Sequence, residues 1–380
     1  MSLSGDAVLI AAFSGRSLAQ SARRAGYRPF VVDAFGDLDT RDAAEDIRVI
    51  DGAMQTGFRT KPLIAALNEL SQSARTTPVG LVLGSGFEDK TRLVAALASR
   101  VRLLGSDAKT IETCKNPKKF FALLDDLAIL HPQTQSDPPS NPADWISKRI
   151  GGSGGRHVRD CSGRPRAKPR RYFQKRLAGE RYSIGALIAN EANGPSCFAV
   201  SKQWASPSAA HPYRFGGCVS NPSIDPMLLA EMTRIAHQLA TALHLTGMAS
   251  FDFIVERDIP YLLEVNPRPG ASLDILDDSS GSLFAGHLAA CTGAALSSHR
   301  PDHRPARAMA ILHADRGDLV LGETPWPDWS ADRGVPGTFI PAGAPLASAL
   351  AEAPTADAAE ALARTRLAEL EDLLYGHAES

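Results

Sequence analysis

The sequence predicts a mixed α/β and α+β chain, with a doubly wound parallel sheet first, antiparallel sheets after it and a strand-and-helix segment at the end. Three observations predict this. Short apolar runs alternate with helical patterns through the first hundred residues, as in a parallel sheet with crossover helices. Between 172 and 266, strand-like segments fall in consecutive pairs, 178–189 with 197–205 and 249–256 with 260–266, on either side of one helix, which suits antiparallel pairing. The tail carries one strand, a Pro- and Gly-rich stretch over 325–345 and a last helix, AAEALARTRLAELEDLL.

Taken in order, AVLIAAF (7–13) is an apolar run suited to a buried parallel strand. SGRSLAQSARRAG follows as a helix with an early serine cap and a stop at Gly26. PFVVDAF (29–35) contains Asp33 at the end of a second strand. IRVI (47–50), a helix through PLIAALNEL, the strand VGLVLGS (79–85) and an edge strand LLGS (103–106) complete the sheet. The ends of such strands carry ligands. Neither FSGRSLAQ nor GSGFED (84–89) has GxGxxG spacing, which argues against a nicotinamide cofactor.

Residues 109–130 read as one helix centred on Lys118 and Lys119, followed by a Pro- and Ser-rich connector. WISKRI (145–150) is a strand running into the glycine run GGSGG (151–155). YFQKRL (172–177), AGERYSIGALIA (178–189) and CFAVSKQWA (197–205) are strands, the last two paired across NEANGPS. HPYRFGGCVSNP (211–222) reads as a loop and 225–244 as an amphipathic helix. ASFDFIVE (249–256) and PYLLEVN (260–266) form a pair, and RAMAILHA opens the tail.

The chain has 380 residues, enough for two or three domains with cores of their own. With 41 basic and 42 acidic residues, the net charge of -1 creates no global field towards nucleic acid or an anionic membrane. No apolar run approaches the ~18 residues of a spanning helix, and MSLSGDAVLI shows no signal-peptide pattern. The five cysteines are scattered, with no CxxC pair, so neither a disulfide framework nor a cysteine zinc site is indicated. A cytoplasmic location is expected.

The segment SFDFIVERDIPYLLEVNPRPGAS (250–272) carries the chemistry. If a three-residue connection at Arg257, Asp258 and Ile259 closes an antiparallel hairpin, Asp252 lies opposite Glu264, at ~4.5–5.5 Å between Cβ atoms. Glu264 and Asn266 are two apart and share a face. Ile254 and Leu262 are expected to flank the polar trio, with Phe251, Phe253, Val255, Leu263 and Val265 on the other face. Opposed carboxylates repel unless a cation lies between them. Magnesium fits, because it takes hard oxygen ligands and shares its sphere with nucleotide phosphates.

With its run YLLEVNPRPG, this segment resembles the metal-binding end of ATP-grasp enzymes. The resemblance implies that Asp252, Glu264 and Asn266 hold magnesium (manganese is the alternative ion) and that Arg268 contacts the transferred phosphate as the catalytic residue. It also implies that Lys148 touches the nucleotide phosphates while Gly151, Gly152, Ser153, Gly154 and Gly155 close over them. Glycines there free backbone N–H groups to turn towards an anion. QKRLAGE is similar to the family's adenine hinge, which assigns Gln174, Lys175 and Leu177 to ATP and Glu180 to the ribose. Many members carry that acid one residue later, where this chain has Arg181. Lys118 resembles the earlier phosphate-side lysine, with Lys119 the competing choice, and Lys202 is a further candidate.

The resemblance extends over most of the chain. It implies a pre-ATP-grasp domain over 1–108 and a two-lobed ATP-grasp core over 109–300. The core's lid lobe covers about 118–185 and its metal-site lobe about 186–300. A C-terminal hairpin-and-helix segment covers 301–380. The activity implied is that of an ATP-dependent carboxylate–amine ligase, which forms an amide through an acyl phosphate. One such role is attaching an amino acid such as glutamate in one-carbon cofactor assembly of the tetrahydromethanopterin or methanofuran kind. ATP and a divalent cation are the implied cofactors, a small carboxylate and an amine the implied partners, and a homodimer the implied assembly.

Arg214 can pair a substrate carboxylate in bidentate fashion or serve structure, and Ser272 can donate to substrate or cap a turn. The basic run Arg156, Arg159, Arg164, Arg166, Lys168, Arg170, Arg171, Lys175 and Arg176, interleaved with Tyr172 and Phe173, reads as a solvated lid surface. The competing reading is a single-stranded nucleic-acid site. A nucleotide-binding regulator without ligase activity is the other alternative.

Overall fold

The computed structural model describes residues 5–161, 168–189, 197–294 and 305–376. The N-terminal run alternates strand and helix as its apolar pattern requires. It comprises β1 (Ala7–Ala11), α1 (Arg16–Arg24), β2 (Arg28–Asp33), α2 (Leu38–Ala43), β3 (Asp46–Val49), α3 (Ala53–Thr56), α4 (Thr60–Ser73), β4 (Leu81–Leu83), α5 (Thr91–Ala98) and β5 (Leu103–Leu104). The five strands pair in parallel in the order β3-β2-β1-β4-β5. Central strand β1 is buried throughout, as a strand covered on both faces must be. The expected serine cap of α1 is not used. Gly15 occupies that position and its N–H donates to Asp33 Oδ2 at 2.6 Å.

The single helix expected over 109–130 is two, α6 (Ala108–Lys115) and α7 (Pro117–Asp126). Pro117 disfavours helical backbone at the residue before it. Asn116 is accordingly extended, and its Oδ1 accepts from the N–H groups of Lys118 and Lys119 to cap α7. Next comes an antiparallel sheet of β6 (Thr134–Gln135), β7 (Trp145–Arg149), β8 (Arg159–Asp160) and β9 (Arg171–Lys175), in the order β6-β9-β7-β8.

The remaining elements are β10 (Glu180–Ile188), β11 (Cys197–Ala205), β12 (Phe215–Ser220), α8 (Pro226–Ala242), β13 (Gly247–Glu256), β14 (Ile259–Asn266), α9 (Leu273–Leu276) and α10 (Ser282–Thr292). They continue with β15 (Ala306–His313), β16 (Leu319–Val320), β17 (Ser330–Ala331), β18 (Phe339–Ile340), β19 (Pro345–Ala353) and α11 (Ala356–Gly376). Eight of these strands form one sheet, β14-β13-β10-β11-β12-β15-β19-β17. β10 and β11 pair antiparallel as expected; the connecting NEANGPS lies outside the described residues.

Residues 215–220, read from sequence as loop, are strand β12. The two glycines that suggested a loop serve close approach instead. A Cβ at Gly217 would meet Met309 O at 2.3 Å and the Trp204 ring at 2.3 Å. In the tail, β19 pairs with β15 across the whole Pro- and Gly-rich stretch, so the C-terminal hairpin extends the same sheet.

The large sheet has one apolar and one working face. On the apolar face, Phe251, Phe253, Val255, Leu262 and Val265 pack against Met232, Ile235 and Leu239 of α8. Further along, Ala308, Ala310 and Ala351 meet Ala356, Ala359 and Ala363 of α11. Burying each large side chain contributes roughly 1.5–3 kcal/mol. The working face turns towards the N-terminal sheet, where Leu187, Met248 and Phe284 share one cluster with Val8, Ile10 and Val82.

Candidate functional site

The β13–β14 hairpin brings the predicted trio together by a route the sequence did not show. The connection is two residues, Arg257 and Asp258, both left-handed at φ 53° and 61°. That is the backbone of a type I′ turn. A two-residue turn with unbroken pairing would set Asp252 opposite Leu263. A bulge between Asp252 and Phe253 adds one residue on β14 and restores Asp252 opposite Glu264. The bulge also corrects the expected faces. Leu262 pairs with Phe253 in the core and does not flank the acids, and Leu263, expected in the core, is the half-buried bulge residue.

Asn266 stands between the two acids. Its Nδ2 donates to Asp252 Oδ2 at 3.0 Å and to Glu264 Oε1 at 3.1 Å. Ser183 Oγ donates to Asp252 Oδ1 at 2.6 Å. Lys115, the last residue of α6, donates from Nζ to Asn266 Oδ1 at 2.6 Å and lies 3.8 Å from Glu264 Oε2. Burial and the neighbouring Glu264 charge push the Asp252 carboxyl up. Burial acts the same way on Glu264, but the charges of Lys115, Lys148 and His157 outweigh it and hold that carboxyl down.

The two carboxylates suit a divalent cation, and the Asn266 oxygen, here taken by Lys115, would join them by turning its amide. Two carboxylates and a carboxamide converge, and a hard cation shared with phosphates needs only one or two carboxylates from the protein. Among the described residues, no group of three or more His, Cys, Asp or Glu side chains is arranged to hold a metal ion. Asp252, Glu264 and Asn266 bring together two carboxylates and one amide.

Arg268 follows the trio. Its Nε donates to Glu88 Oε1 at 2.6 Å and its Nη1 to Pro269 O at 3.0 Å. Glu88 is buried, and its other oxygen accepts from Gly86 N–H at 2.8 Å. Burial raises the Glu88 carboxyl, but Arg268 and Lys115 outweigh that and lower it. The GSGFED segment that lacked dinucleotide spacing thus holds the arginine. Its next acid, Asp89, accepts from Arg170 Nη2 at 3.0 Å and packs where a Cβ at Gly151 would sit.

The glycine run lies between β7 and β8, with Gly151, Gly154 and Gly155 all at φ between 64° and 70°. A Cβ at Gly155 would meet Tyr213 O at 1.9 Å, and Gly154 O accepts from Phe215 N–H at 3.0 Å. The run is therefore folded down upon β12. Ser153 is half-buried within it. The His157 ring fills the space beside Gly152, and its Nδ1 is buried without a hydrogen-bond partner. Burial pushes that imidazole down to about 4. Lys148 is buried and donates to Gln174 Oε1 at 3.0 Å, and Gln174 Nε2 donates to Thr134 Oγ1 at 3.1 Å. Burial lowers the Lys148 ammonium, against the pull of Glu264.

Other expected residues scatter more widely. Lys118 and Lys119 are exposed in the first turn of α7, and Lys119 pairs with Glu112 at 2.7 Å. The lysine that joins the acidic cluster is Lys115, which sequence reasoning missed; its signal was its place just ahead of Asn-Pro, at a helix end. Lys175 is exposed and Leu177 half-buried. Glu180 is bonded by Lys202 Nζ and by Tyr182 Oη, so these two candidates form a pair on the sheet.

Arg214 is not placed to receive a substrate. It is fully buried and grips Asp315 with two bonds of 2.9 and 2.7 Å, while Ser206 O and Oγ accept from its Nε and Nη2. A guanidinium with those partners ties β12 to the tail. Ser272 precedes α9, makes no capping bond, and lines a cleft beside Arg268. Of the basic run, Arg164 and Arg166 lie outside the described residues. Arg171 ties β9 to β7 and to the segment after the glycine run by donating to Ser147 O and His157 O at 2.7 and 2.9 Å.

A parallel N-terminal sheet and a small antiparallel sheet thus accompany a large sheet that bears two acids and an amide. Residues 114–272 match the ATP-grasp domain family. The carbamoyl phosphate synthase large chain of Myxococcus xanthus (strain DK1622) is 22% identical over 245 residues, covering 58% of this chain and 22% of that one. The chain thus spans about a fifth of the length of that curated relative. N5-carboxyaminoimidazole synthetase of Staphylococcus aureus, solved with ADP, superposes with a TM-score of 0.68 at 14% identity, covering 96% of this chain and 97% of that one. The biotin carboxylase domain dimer of the Hydrogenobacter thermophilus 2-oxoglutarate carboxylase, solved with MgADP, ADP and bicarbonate, superposes at 0.69 and 10% identity, covering 93% and 87%. No helix among the described residues is long and apolar enough to cross a membrane.

Proposed function

We propose that the protein is an ATP-dependent carboxylate–amine ligase that activates its acid as an acyl phosphate. The observation that carries this reading is the convergence of Asp252, Glu264 and Asn266 beside an arginine already held in place by Glu88. In this reading the trio would hold a magnesium ion, with manganese as an alternative, which would supply charge neutralisation for phosphoryl transfer. Lys148 and the 151–155 run bind the triphosphate, Gln174, Lys175 and Leu177 line the nucleotide, and the Glu180–Lys202 pair faces its ribose side. Lys118 reaches the phosphates only if α7's first turn moves, so Lys115 takes the inner position. Arg268 orients the acid's carboxylate and stabilises charge on the transferred phosphoryl group. The folded-down lid excludes water that would hydrolyse an acyl phosphate. An amine then displaces phosphate to form the amide.

The finer parts of this reading follow from the resemblance. They are glutamate as the amine, a role in one-carbon cofactor assembly, a cytoplasmic homodimer, and separate units over 1–108, 109–300 and 301–380. The bicarbonate bound by the Hydrogenobacter domain favours a second reading, in which bicarbonate is the acid activated here. An assay of ADP release over a panel of organic acids and amino acids, with bicarbonate alone as a separate arm, discriminates these readings from each other and from a non-catalytic nucleotide sensor. In the same assay Glu264→Gln is expected to lower the rate roughly a thousandfold, about 4 kcal/mol of transition-state stabilisation. Wild-type turnover by that variant would sink the metal assignment.

A further inference from the structure

Beside Arg268 lies a cleft, part of it open to solvent. It crosses the working face of the large sheet, under the 268–276 segment and the start of α10. Its walls include Leu187, Ala199, Met248, Leu273, Leu276 and Leu283. Leu187, Met248 and Leu273 are buried residues of the cluster shared with the N-terminal sheet. Small residues let Leu276 pack down onto the floor. Gly185 and Ala199 are cross-strand partners, and a Cβ at Gly185 would meet Leu276 Cδ1 at 2.7 Å. Polar groups gather at the two edges, Arg268 and Ser272 on one side and Ser220 with Arg307 on the other.

The sheet order sets the cleft's length. The lining strands run β13-β10-β11-β12-β15, four spacings of ~4.8 Å each, or roughly 19 Å from side to side. A small acid at Arg268 would leave the partly exposed part of that wall, Ala199, Leu276 and Leu283, facing water. An acid with a chain or ring system behind its carboxylate would cover it.

We propose that this cleft takes the apolar body of the substrate acid, so that the acid is an extended organic carboxylate held at its charged end by Arg268. The proposal rests on the ligase reading and names the substrate class of that site. Burying one methylene is worth roughly fourfold in affinity, so a homologous series reports directly on the wall.

The test is calorimetric binding of straight-chain acids, acetate to octanoate, to the full chain with ADP and magnesium present. The expected result is a dissociation constant that falls roughly fourfold per added methylene from butanoate onward. Ala199→Trp and, independently, Leu276→Asn should flatten that dependence while ADP affinity stays within twofold. Arg268→Met should weaken every acid by a similar factor and preserve the slope. A flat series in the native protein, no binding of octanoate, or a slope untouched in both wall variants would overturn the proposal. Octanoate binding with the expected slope, but no ADP release with any acid and amine, would instead sink the ligase reading and leave the cleft assignment standing.

Discussion

At the scale of single residues, the ammonium of Lys115 is the fixed cation of the acidic cluster. It touches Asn266 Oδ1 and stands within ion-pair distance of Glu264. Replacing it with Met removes the partner of a buried amide and leaves two acids to repel each other, costing about 1–3 kcal/mol. Urea unfolding should show Lys115→Met destabilised by that amount and Lys118→Met within about 0.5 kcal/mol of the native protein, as for a surface site. Equal effects would mean that Lys115 has no special place. The sequence offered three lysines within five positions, and a single helix through them would have favoured the middle of the run. The break at Asn116–Pro117 reverses that choice, because it ends α6 with Lys115 buried and starts α7 with Lys118 and Lys119 in water. Glu88 escaped for a different reason. Its partner Arg268 lies 180 positions away, and no local pattern encodes such a pairing.

At the scale of elements, the hairpin shows how much a local reading can reach. Alternation along PYLLEVN was enough to put Glu264 and Asn266 on one face, and the pairing of Asp252 with Glu264 is as the spacing suggested. The assumed three-residue connection and the observed two-residue turn with a bulge both add one residue to the same strand, so they reach the same register. They differ in what they do to Leu262 and Leu263, and only the bulge turns Leu262 into the core. The turn itself is a weak point, because both its residues are left-handed without being glycine. Asp tolerates that backbone far better than a β-branched residue does. Asp258→Val should therefore cost about 1–2 kcal/mol in thermal or urea unfolding. Asp258→Gly should cost nothing beyond about 0.5 kcal/mol. A neutral Val variant would show that the turn relaxes to another form.

At the scale of the whole molecule, the two sheets are joined through a buried histidine that the sequence gave no reason to select. His287 on α10 accepts from Met248 N–H through Nδ1 at 2.8 Å, and its Nε2 lies 3.1 Å from Leu104 O at the edge of the N-terminal sheet. An accepting Nδ1 leaves the proton on Nε2, which donates to Leu104, so both ring nitrogens are satisfied only in the neutral form. Burial pushes this imidazole down to about 4, from the ordinary value near 6.5. The unfolded chain therefore binds a proton that the folded chain refuses across that interval. Stability contributed by the neutral ring is complete above pH ~6.5 and is lost as pH falls towards 4. The gap of about 2.5 pH units corresponds to about 3 kcal/mol. His157 and His313 are lowered in the same direction by burial, so the native curve alone cannot isolate His287. The difference between native protein and His287→Gln can, since glutamine carries an acceptor and a donor but does not titrate. Urea unfolding at intervals from pH 7 to pH 4 should show the native protein losing about 3 kcal/mol more than the variant, mostly below pH 6. Parallel curves would mean that the junction between the sheets opens enough for the ring to be protonated in place.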